Sequence, residues 1–421
     1  MSVLSSLFGI IALLAIGFLL SNNRKAINLR SVFGAFLIQA GIGALVLYVP
    51  VGRDVLIKVS NGVNNVIQYG NKGIEFLFGG LVSDKMFEVF GGGGFIFAFR
   101  VLPSIVFFAA LISVLYYLGI MQVIIRILGG FLQSMLKTSK TESMSAAANI
   151  FVGQTEAPLL VRPYIATMTN SELFAVMSGG LASIAGSVLA GYASMGVPLP
   201  YLIAASFMAA PGGLLFAKLL FPQTEVFNDD LKIEDRGEEK PANFLDAIAG
   251  GATSGMHLAL NVGAMLLAFI AIIALLNGIL GGIGGWFNYP ELSLELILGW
   301  IFKPLAWALG VPWNEASIAG TFIGQKLVIN EFVAYFNFTN LTPDVAAALS
   351  DKTKAIITFA LCGFANFSSI AVLIGGLGTM APNRRKDIAR LGIKAVIAGS
   401  LSNFMSAAIA GFFISLSGSV L

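Results

Sequence analysis

Gly153-Gln154-Thr155-Glu156-Ala157-Pro158 interrupts a short apolar stretch, residues 143–165, and puts a carboxylate in its middle. A second stretch, residues 316–338, repeats the arrangement, broken at Gly324-Gln325-Lys326 and holding Asn330-Glu331. Phe151-Val152-Gly153-Gln154 in the first is matched by Phe322-Ile323-Gly324-Gln325 in the second. After each comes a polar or charged turn and then a long span with small polar residues at its centre. Those centres read Ser178-Gly179-Gly180-Leu181-Ala182-Ser183-Ile184-Ala185-Gly186-Ser187 and Cys362-Gly363-Phe364-Ala365-Asn366-Phe367-Ser368-Ser369-Ile370. One more span closes each unit. Re-entrant hairpin, broken span, span therefore occurs twice, at about 145–221 and 316–415.

The chain around these units has 421 residues, 57% hydrophobic and 11% charged. Soluble domains run near 25% charged, so a soluble enzyme, a nucleic-acid binder and a disordered chain are excluded. A polytopic membrane protein is what remains. One cysteine, Cys362, excludes an internal disulfide or a thiolate metal cluster, and one histidine, His257, speaks against an imidazole metal site. His257 reads as a packed or hydrogen-bonded residue and Cys362 as a small helix-packing one. Neither sits in a nucleophile–base pattern, so the chain is not read as an enzyme.

A bilayer core takes about 20 apolar residues per helix. Uncharged stretches cover 1–23, 31–52, 101–125, 173–217, 247–290, 355–383 and 395–421. Residues 173–217 hold two spans with a turn near Gly196-Val197-Pro198, and 247–290 one span ending in the turn Gly281-Gly282-Ile283-Gly284-Gly285. That makes eight spans. Residues 55–78, with Lys58, Asn61, Asn64, Asn65 and Gln68 among apolar positions, read as an interfacial amphipathic helix. Basic residues after spans one, three, five and seven (Arg24, Lys25, Arg30; Arg126, Lys137, Lys140, Arg162; Lys218 onward; Arg384, Arg385, Lys386, Arg390, Lys394) fall on one side, although Lys58, Lys72, Lys85, Lys303, Lys352 and Lys354 fall on the other. The bias puts both termini on the outer or periplasmic face. Residues 225–240 carry ten charges and read as a solvated loop.

Three spans separate the starts of the two units, and an odd number inverts the second copy in the membrane. Paired, Gly-interrupted segments in an inverted repeat are the sequence pointer to a secondary transporter with its site at the repeat interface. Isolated Gly and Ser residues are explained as well by close helix packing. Packing does not explain carboxylates, Glu156 and Glu331, in both hairpins, because an ionisable group at membrane depth is costly.

Hairpins and unwound helices expose backbone N–H and C=O groups where they line a cavity. Gln154 and Asn366 add a donor and an acceptor each, Thr155 and Ser369 add hydroxyls, and Glu156 and Glu331 add strong acceptors. Phe364 can pack against a ring. The set suits a neutral, hydroxylated, ring-bearing solute better than an anion, since no basic pair sits at the hairpin tips. Asn149 and Ser183, with the carbonyls of Val152 and Ile184, offer oxygen ligands of the kind a hard cation takes. Taken singly, Asn149 also reads as a helix cap and Ser183 as a packing residue.

At these residues the sequence resembles the concentrative nucleoside transporters. The resemblance is carried by Gly153-Gln154-Thr155-Glu156-Ala157-Pro158-Leu159, Pro312-Trp313-Asn314-Glu315-Ala316, Asn330-Glu331-Phe332-Val333-Ala334-Tyr335 and the Cys362–Ile370 segment, and it runs over nearly the whole chain. It implies an all-α membrane protein of eight spans plus two re-entrant hairpins and interfacial helices. It implies that Gln154, Thr155 and Glu156 face the base of a nucleoside such as uridine, and that Glu331, Asn366 and Ser369 face its ribose. Val188 and Phe364 match apolar residues near the base, and a span-six leucine is placed at Leu258, with Leu260 two residues on. Asn149, Val152, Ser183 and Ile184 map to a sodium site.

The resemblance further implies nucleoside import across the cytoplasmic membrane, driven by sodium, in a homotrimer embedded in the lipid bilayer. No organic cofactor and no nucleic-acid partner are expected. Residues 1–125 and 247–300 (spans one to three and six) form the expected scaffold, and 126–246 and 301–421 the expected transport domain. Some bacterial relatives use protons, so a proton-coupled symporter is the alternative; Asn149 and Ser183 favour sodium. A facilitative channel would not need the paired hairpins.

Overall fold

The structure is a computed structural model that describes residues 2–90, 94–227 and 241–418. Most of the expected charged loop, residues 228–240, lies outside the described residues, as do Met1 and 419–421 at the ends of the first and last expected spans. Every regular element among the described residues is helical. Among the described residues, six helical segments are long and apolar enough to cross a membrane: Leu29–Leu47, Phe97–Tyr117, Asn170–Ser194, Leu199–Leu220, Phe244–Trp286 and Pro382–Ser417.

The first half runs α1 (Ser2–Leu19), α2 (Leu29–Leu47), α3 (Pro50–Phe78) and α4 (Leu102–Tyr117). Helix α3 is the expected amphipathic helix. It buries Leu56, Ile67 and Ile74 while Lys58, Asn61 and Asn64 stay exposed. The expected span 101–125 stops early. Gly119 adopts φ 77°, a left-handed conformation that a glycine takes at no steric cost, and turns the chain into α5 (Ile120–Leu136). Helix α5 buries Met121, Ile125, Gly129, Leu132 and Leu136, the single face of an amphipathic helix.

The first repeat follows. Helix α6 (Lys140–Ala148) starts in a capping box, with Ser139 N donating to Glu142 Oε1 at 2.7 Å. The chain then unwinds through residues 149–156 and returns in a 3-10 turn. Thr169 and Glu172 form a second capping box at the start of α7 (Asn170–Ala182). Helix α7 breaks at 183–185 and resumes as α8 (Gly186–Ser194), and α9 (Leu199–Leu220) closes the unit after a turn in which Gly196 has φ 96°.

Helix α10 (Phe244–Trp286) is 43 residues long and passes straight through Gly281–Gly285. The expected turn there does not form. Close packing accounts for two of these glycines: a Cβ on Gly284 would collide with the Tyr289 carbonyl and one on Gly281 would lie 3.2 Å from the Pro290 carbonyl, while Gly282 and Gly285 have no atom within 4 Å. His257 lies on the exposed face of α10 and is not packed within this chain.

Helix α11 (Leu294–Ala308) leads into the second repeat: α12 (Ala316–Val328), α13 (Glu331–Thr339), α14 (Asp351–Leu361), α15 (Ser368–Met380) and α16 (Arg385–Ser417). The second hairpin breaks at Ile329-Asn330, not at 324–326, where the helix continues. Gly324 is needed there for contact rather than for a turn, since a Cβ would sit 2.7 Å from Leu298 Cβ. Phe151–Gln154 is therefore a hairpin tip while Phe322–Gln325 is helix interior, so the matched tetrapeptides are not structural equivalents. The repeat stands on element order and on its caps. Thr141 at the base of hairpin one donates to Glu172 at the start of α7 (3.1 Å). Ser350 at the start of α14 donates to Glu315 at the base of hairpin two (2.9 Å).

Packing divides the helices into two groups. Helix α10 lies along α4, whereas α1 packs on α16 and α2 on α9. Gln39 of α2 donates to Ser402 O at 3.3 Å and Ser406 Oγ at 2.9 Å. Spans one and two thus pack with the repeats rather than with spans three and six. The α4–α10 seam is close because Gly251 and Gly255 face it; a Cβ on Gly255 would lie 2.7 Å from Ala109 Cβ and 2.8 Å from Val106 Cα. Gly255→Val should lower stability by about 1–3 kcal/mol through overpacking. Gly250→Val, where no atom lies within 4 Å, is the matched control, and melting temperatures in detergent compare the two. Equal melting temperatures would mean that the seam is loose.

Candidate substrate and cation site

Both broken spans unwind at one place. Phe364 N, in the break between α14 and α15, donates to Ser183 O in the break between α7 and α8 (3.1 Å). The tip of hairpin one docks on the same crossing, with Gly186 N donating to Phe151 O at 2.9 Å. Each break frees the last carbonyls of a helix, and buried carbonyls need partners. Asn403 of α16 supplies them. Its Nδ2 donates to Ala182 O at 2.6 Å and to Cys362 O at 2.7 Å, one from each broken span. Its Oδ1 accepts from Lys326 Nζ at 2.5 Å, and Lys326 also donates to Ala360 O at 2.8 Å. Lys326 is fully buried, so its charge is met by these oxygens and by the face of Phe404, 5.7 Å from the ring centroid.

Beside the crossing lies a cavity of about 150 Å³. All nine residues expected to touch substrate line it: Gln154, Thr155, Glu156, Val188, Leu258, Glu331, Phe364, Asn366 and Ser369. They come from the first hairpin, α8, α10, the start of α13, the second break and α15. Leu258 lines the cavity, while Leu260 points away and is 61% exposed.

Glu331 is organised before any ligand arrives. Its Oε1 accepts from Tyr192 Oη at 3.1 Å and its Oε2 from Asn366 Nδ2 at 3.0 Å. A carboxylate has about four acceptor positions, so further donors can be met. Asn330 holds the start of α13 by accepting from Val333 N at 2.9 Å. Asn366 Oδ1 accepts from Ser369 N at 2.9 Å and Ser368 Oγ at 2.7 Å. Glu156 Oε2 accepts from Gly153 N (3.0 Å), which shapes the hairpin tip. Gln154 lies against Gly180, where a Cβ would come within 2.9 Å of its own, and its Oε1 is buried with no hydrogen-bond partner among the described residues. The starts of α8, α13 and α15 border the cavity, so positive helix ends and backbone N–H groups face a polar solute there. Opposite them Val262, Met265 and Leu266 of α10 form an apolar wall.

The four expected cation ligands flank the docked tip. Asn149 is 1% exposed, and neither its Oδ1 nor its Nδ2 has a hydrogen-bond partner among the described residues. Among the described residues, no backbone N–H donates to the Val152 or Ile184 carbonyl. The Ser183 hydroxyl donates to Gly180 O at 3.3 Å. Unpaired buried oxygens at one junction fit a hard cation.

Sequence reasoning did not single out Tyr192, Asn403, Ser368 or the α10 wall beyond Leu258, and it treated Lys326 only as part of a turn. Lys326 carried a usable signal, since an ionisable group inside an apolar hairpin is a functional candidate.

This architecture is that of a secondary transporter built on an inverted repeat. The chain matches the family model "Na+ dependent nucleoside transporter C-terminus" over residues 201–411. It matches the N-terminal model of the same family over 8–81 and a "Nucleoside recognition" model over 98–199. It is 67% identical to an "Uncharacterized transporter" of Haemophilus influenzae over 100% of both chains. It is 56% identical to the "Nucleoside permease NupC" of Helicobacter pylori over 99% of both. Among solved structures it superposes on CNTnw in an inward-facing substrate-bound state with TM-score 0.96 and 68% identity, covering 100% of both chains. Outward-facing and intermediate states of variants of that protein match at TM-scores of 0.95 and 0.97. The chain belongs to the concentrative nucleoside transporter family. It is a nucleoside transporter and not an enzyme, of a family described as sodium-dependent.

Asn403→Leu removes two hydrogen bonds to buried carbonyls and the acceptor of a buried ammonium. The expected cost is about 3 kcal/mol or more. Lys326→Met in the same chain should recover part of it, because the two side chains form one network. Thermal unfolding of the two single variants and the double gives the coupling. Strict additivity would show that the network is not cooperative.

Proposed function

We propose that the chain is a sodium-coupled symporter that imports nucleosides, uridine among them, across the cytoplasmic membrane by alternating access. The observation that carries the reading is the convergence of eight residues from the two repeats, and of Leu258 from α10, on one cavity beside the oxygens of Asn149, Val152 and Ile184, for which no partner is found among the described residues. Glu331, Asn366 and Ser369 hold the ribose; Gln154, Thr155 and Glu156 read the base edge; Val188, Leu258 and Phe364 pack on the base. Sodium sits on Asn149, Val152, Ser183 and Ile184, and the unpaired Asn149 carboxamide favours it over a proton. The moving body comprises both repeats together with α1 and α2, which pack against them, and it works against α4 and α10. Inward- and outward-facing structures of a relative 68% identical to this chain support such a motion. The protein assembles as a homotrimer, with both termini on the outer face as the basic-residue bias suggests.

Uptake into proteoliposomes under an imposed sodium gradient, and then under a proton gradient, tests the reading. Accumulation driven only by protons would overturn the sodium assignment.

Two sets of variants test the site. Glu331→Gln should weaken binding of uridine, cytidine and adenosine alike by roughly ten- to hundred-fold, since a charge-assisted hydrogen bond to a ribose common to all is worth about 1.5–3 kcal/mol. Glu156→Gln should shift the preference among the three. Calorimetry on both variants decides, and equal weakening of all three by Glu156→Gln would make that carboxylate structural. Asn149→Ala and Ser183→Ala should raise the sodium concentration for half-maximal uptake. Unchanged sodium activation in both would remove the cation site.

A further inference from the structure

In each repeat two helices end against each other. In the first, Asn149 at the C-cap of α6 lies against the last turn of α7, where a Cβ on Gly179 would sit 3.3 Å from Asn149 Nδ2. In the second, the last turn of α12 carries Lys326, whose Nζ donates to Ala360 O in the last turn of α14 at 2.8 Å. Both places are the meeting of two C-terminal ends, one from the first helix of a hairpin and one from the first half of a broken span. Asn403 reaches both half-spans there, through Ala182 O and Cys362 O.

The C-terminal end of a helix carries partial negative charge and carbonyls without intrahelical partners. Two such ends brought together away from water draw a cation, as half-helix ends do in transporters built on broken spans. In the first repeat the meeting point holds the Asn149 carboxamide, which has no hydrogen-bond partner among the described residues. In the second it already holds an ammonium. Lys326 is fully buried. Burying a charge is costly, and a methionine would fill a similar volume without that cost. Packing alone therefore does not account for a charged side chain at this position.

We propose that the Lys326 ammonium is a tethered cation, occupying in the second repeat the place that the coupling cation occupies in the first. Hairpin two is then held on its broken span with or without a bound ion, and Glu331, five residues on, keeps its orientation throughout. Hairpin one alone waits for an ion. Removing the Lys326 side chain should open a second cation site on Ala360 O and Asn403 Oδ1. The proposal rests on the cation site read at Asn149.

The test uses the full chain in detergent, with sodium exchanged for choline at constant ionic strength and radioactive sodium as the probe. Lys326→Ala should bind one further sodium ion per chain at equilibrium. Sodium at about a hundred times the dissociation constant of that ion should shift the unfolding equilibrium of the variant about a hundred-fold more than that of the parent. Lys326→Ser, whose hydroxyl adds a ligand, is the second variant and should respond in the same way. Lys326→Met fills the space and should bind no further ion. Alanine and serine variants that bind no more sodium than the parent, or that fold in neither salt, would overturn the tethered cation. So would an extra ion in Lys326→Met, which would place that ion elsewhere. A parent that binds no sodium would instead sink the cation site at Asn149, while an ion gained by the alanine and serine variants would still mark Lys326 as the occupant of a cation site.

Discussion

One carboxamide closes the circuit on which the site depends. Breaking two helices in a membrane leaves carbonyls that lipid cannot satisfy. Asn403 answers one from each break with a single Nδ2 group and hands its oxygen to Lys326. Few side chains can do this: two donors must diverge toward carbonyls on different spans while an acceptor faces the other way. The close fit is visible at Gly363, whose Cβ, if present, would lie 2.7 Å from Asn403 Cγ and nearer still to its amide atoms. The crossing of the broken spans, and so the cavity beside it, is fixed from behind by α16.

The hairpins are held at their outer ends by a different device, used twice. A carboxylate near each hairpin base or broken-span start takes hydroxyl or backbone donors from its neighbour: Glu172 from Thr141 and Thr169, Glu315 from Ser350. Caps of this kind satisfy the orphan N–H groups of short helices, which in a hairpin of nine and nine or thirteen residues are a large share of the backbone. Each hairpin is thereby anchored at its base, and what it does at the tip is set by sequence there.

Much of this was legible in the sequence. Two short apolar stretches with carboxylates, each followed by a span with a polar centre, gave the element order of the repeat and Gln154, Thr155, Glu156, Glu331, Phe364, Asn366 and Ser369 of the cavity wall, because an ionisable group at membrane depth is costly; Val188 and Leu258 came only with the family resemblance. What misled was local punctuation. Glycine inside α10 and α12 permits close helix contact, not turns, and a turn at Gly119 was hidden in an apolar run. Composition cannot separate these cases, since the reason for the glycine lies on a neighbouring helix. Asn403 and Tyr192 were invisible for the same cause: each sits among small and apolar neighbours with nothing local to mark it, and its partners are 41 to 221 residues away.

On the proposed assignment, coupling follows from how few residues separate the two sites. Val152 carries a cation ligand, while Gly153 and Gln154 line the cavity. Ser183 and Ile184 carry cation ligands, while Ala185 lines the cavity. The same tip and the same break therefore form a wall of both sites. Without a cation, the Asn149 carboxamide and the Val152 and Ile184 carbonyls are buried acceptors with nothing to accept, which favours any rearrangement that exposes them to water. With a cation bound, the tip is held in the position that places Gln154 against Gly180 and Glu156 against Gly153. Substrate then meets a wall that is already formed, and each ligand strengthens the other by the same factor, as linkage requires. A neutral solute gains nothing directly from the cation's charge across such a wall. Its affinity rises because the cation bears the ordering of the hairpin tip, so the coupling is positional rather than electrostatic.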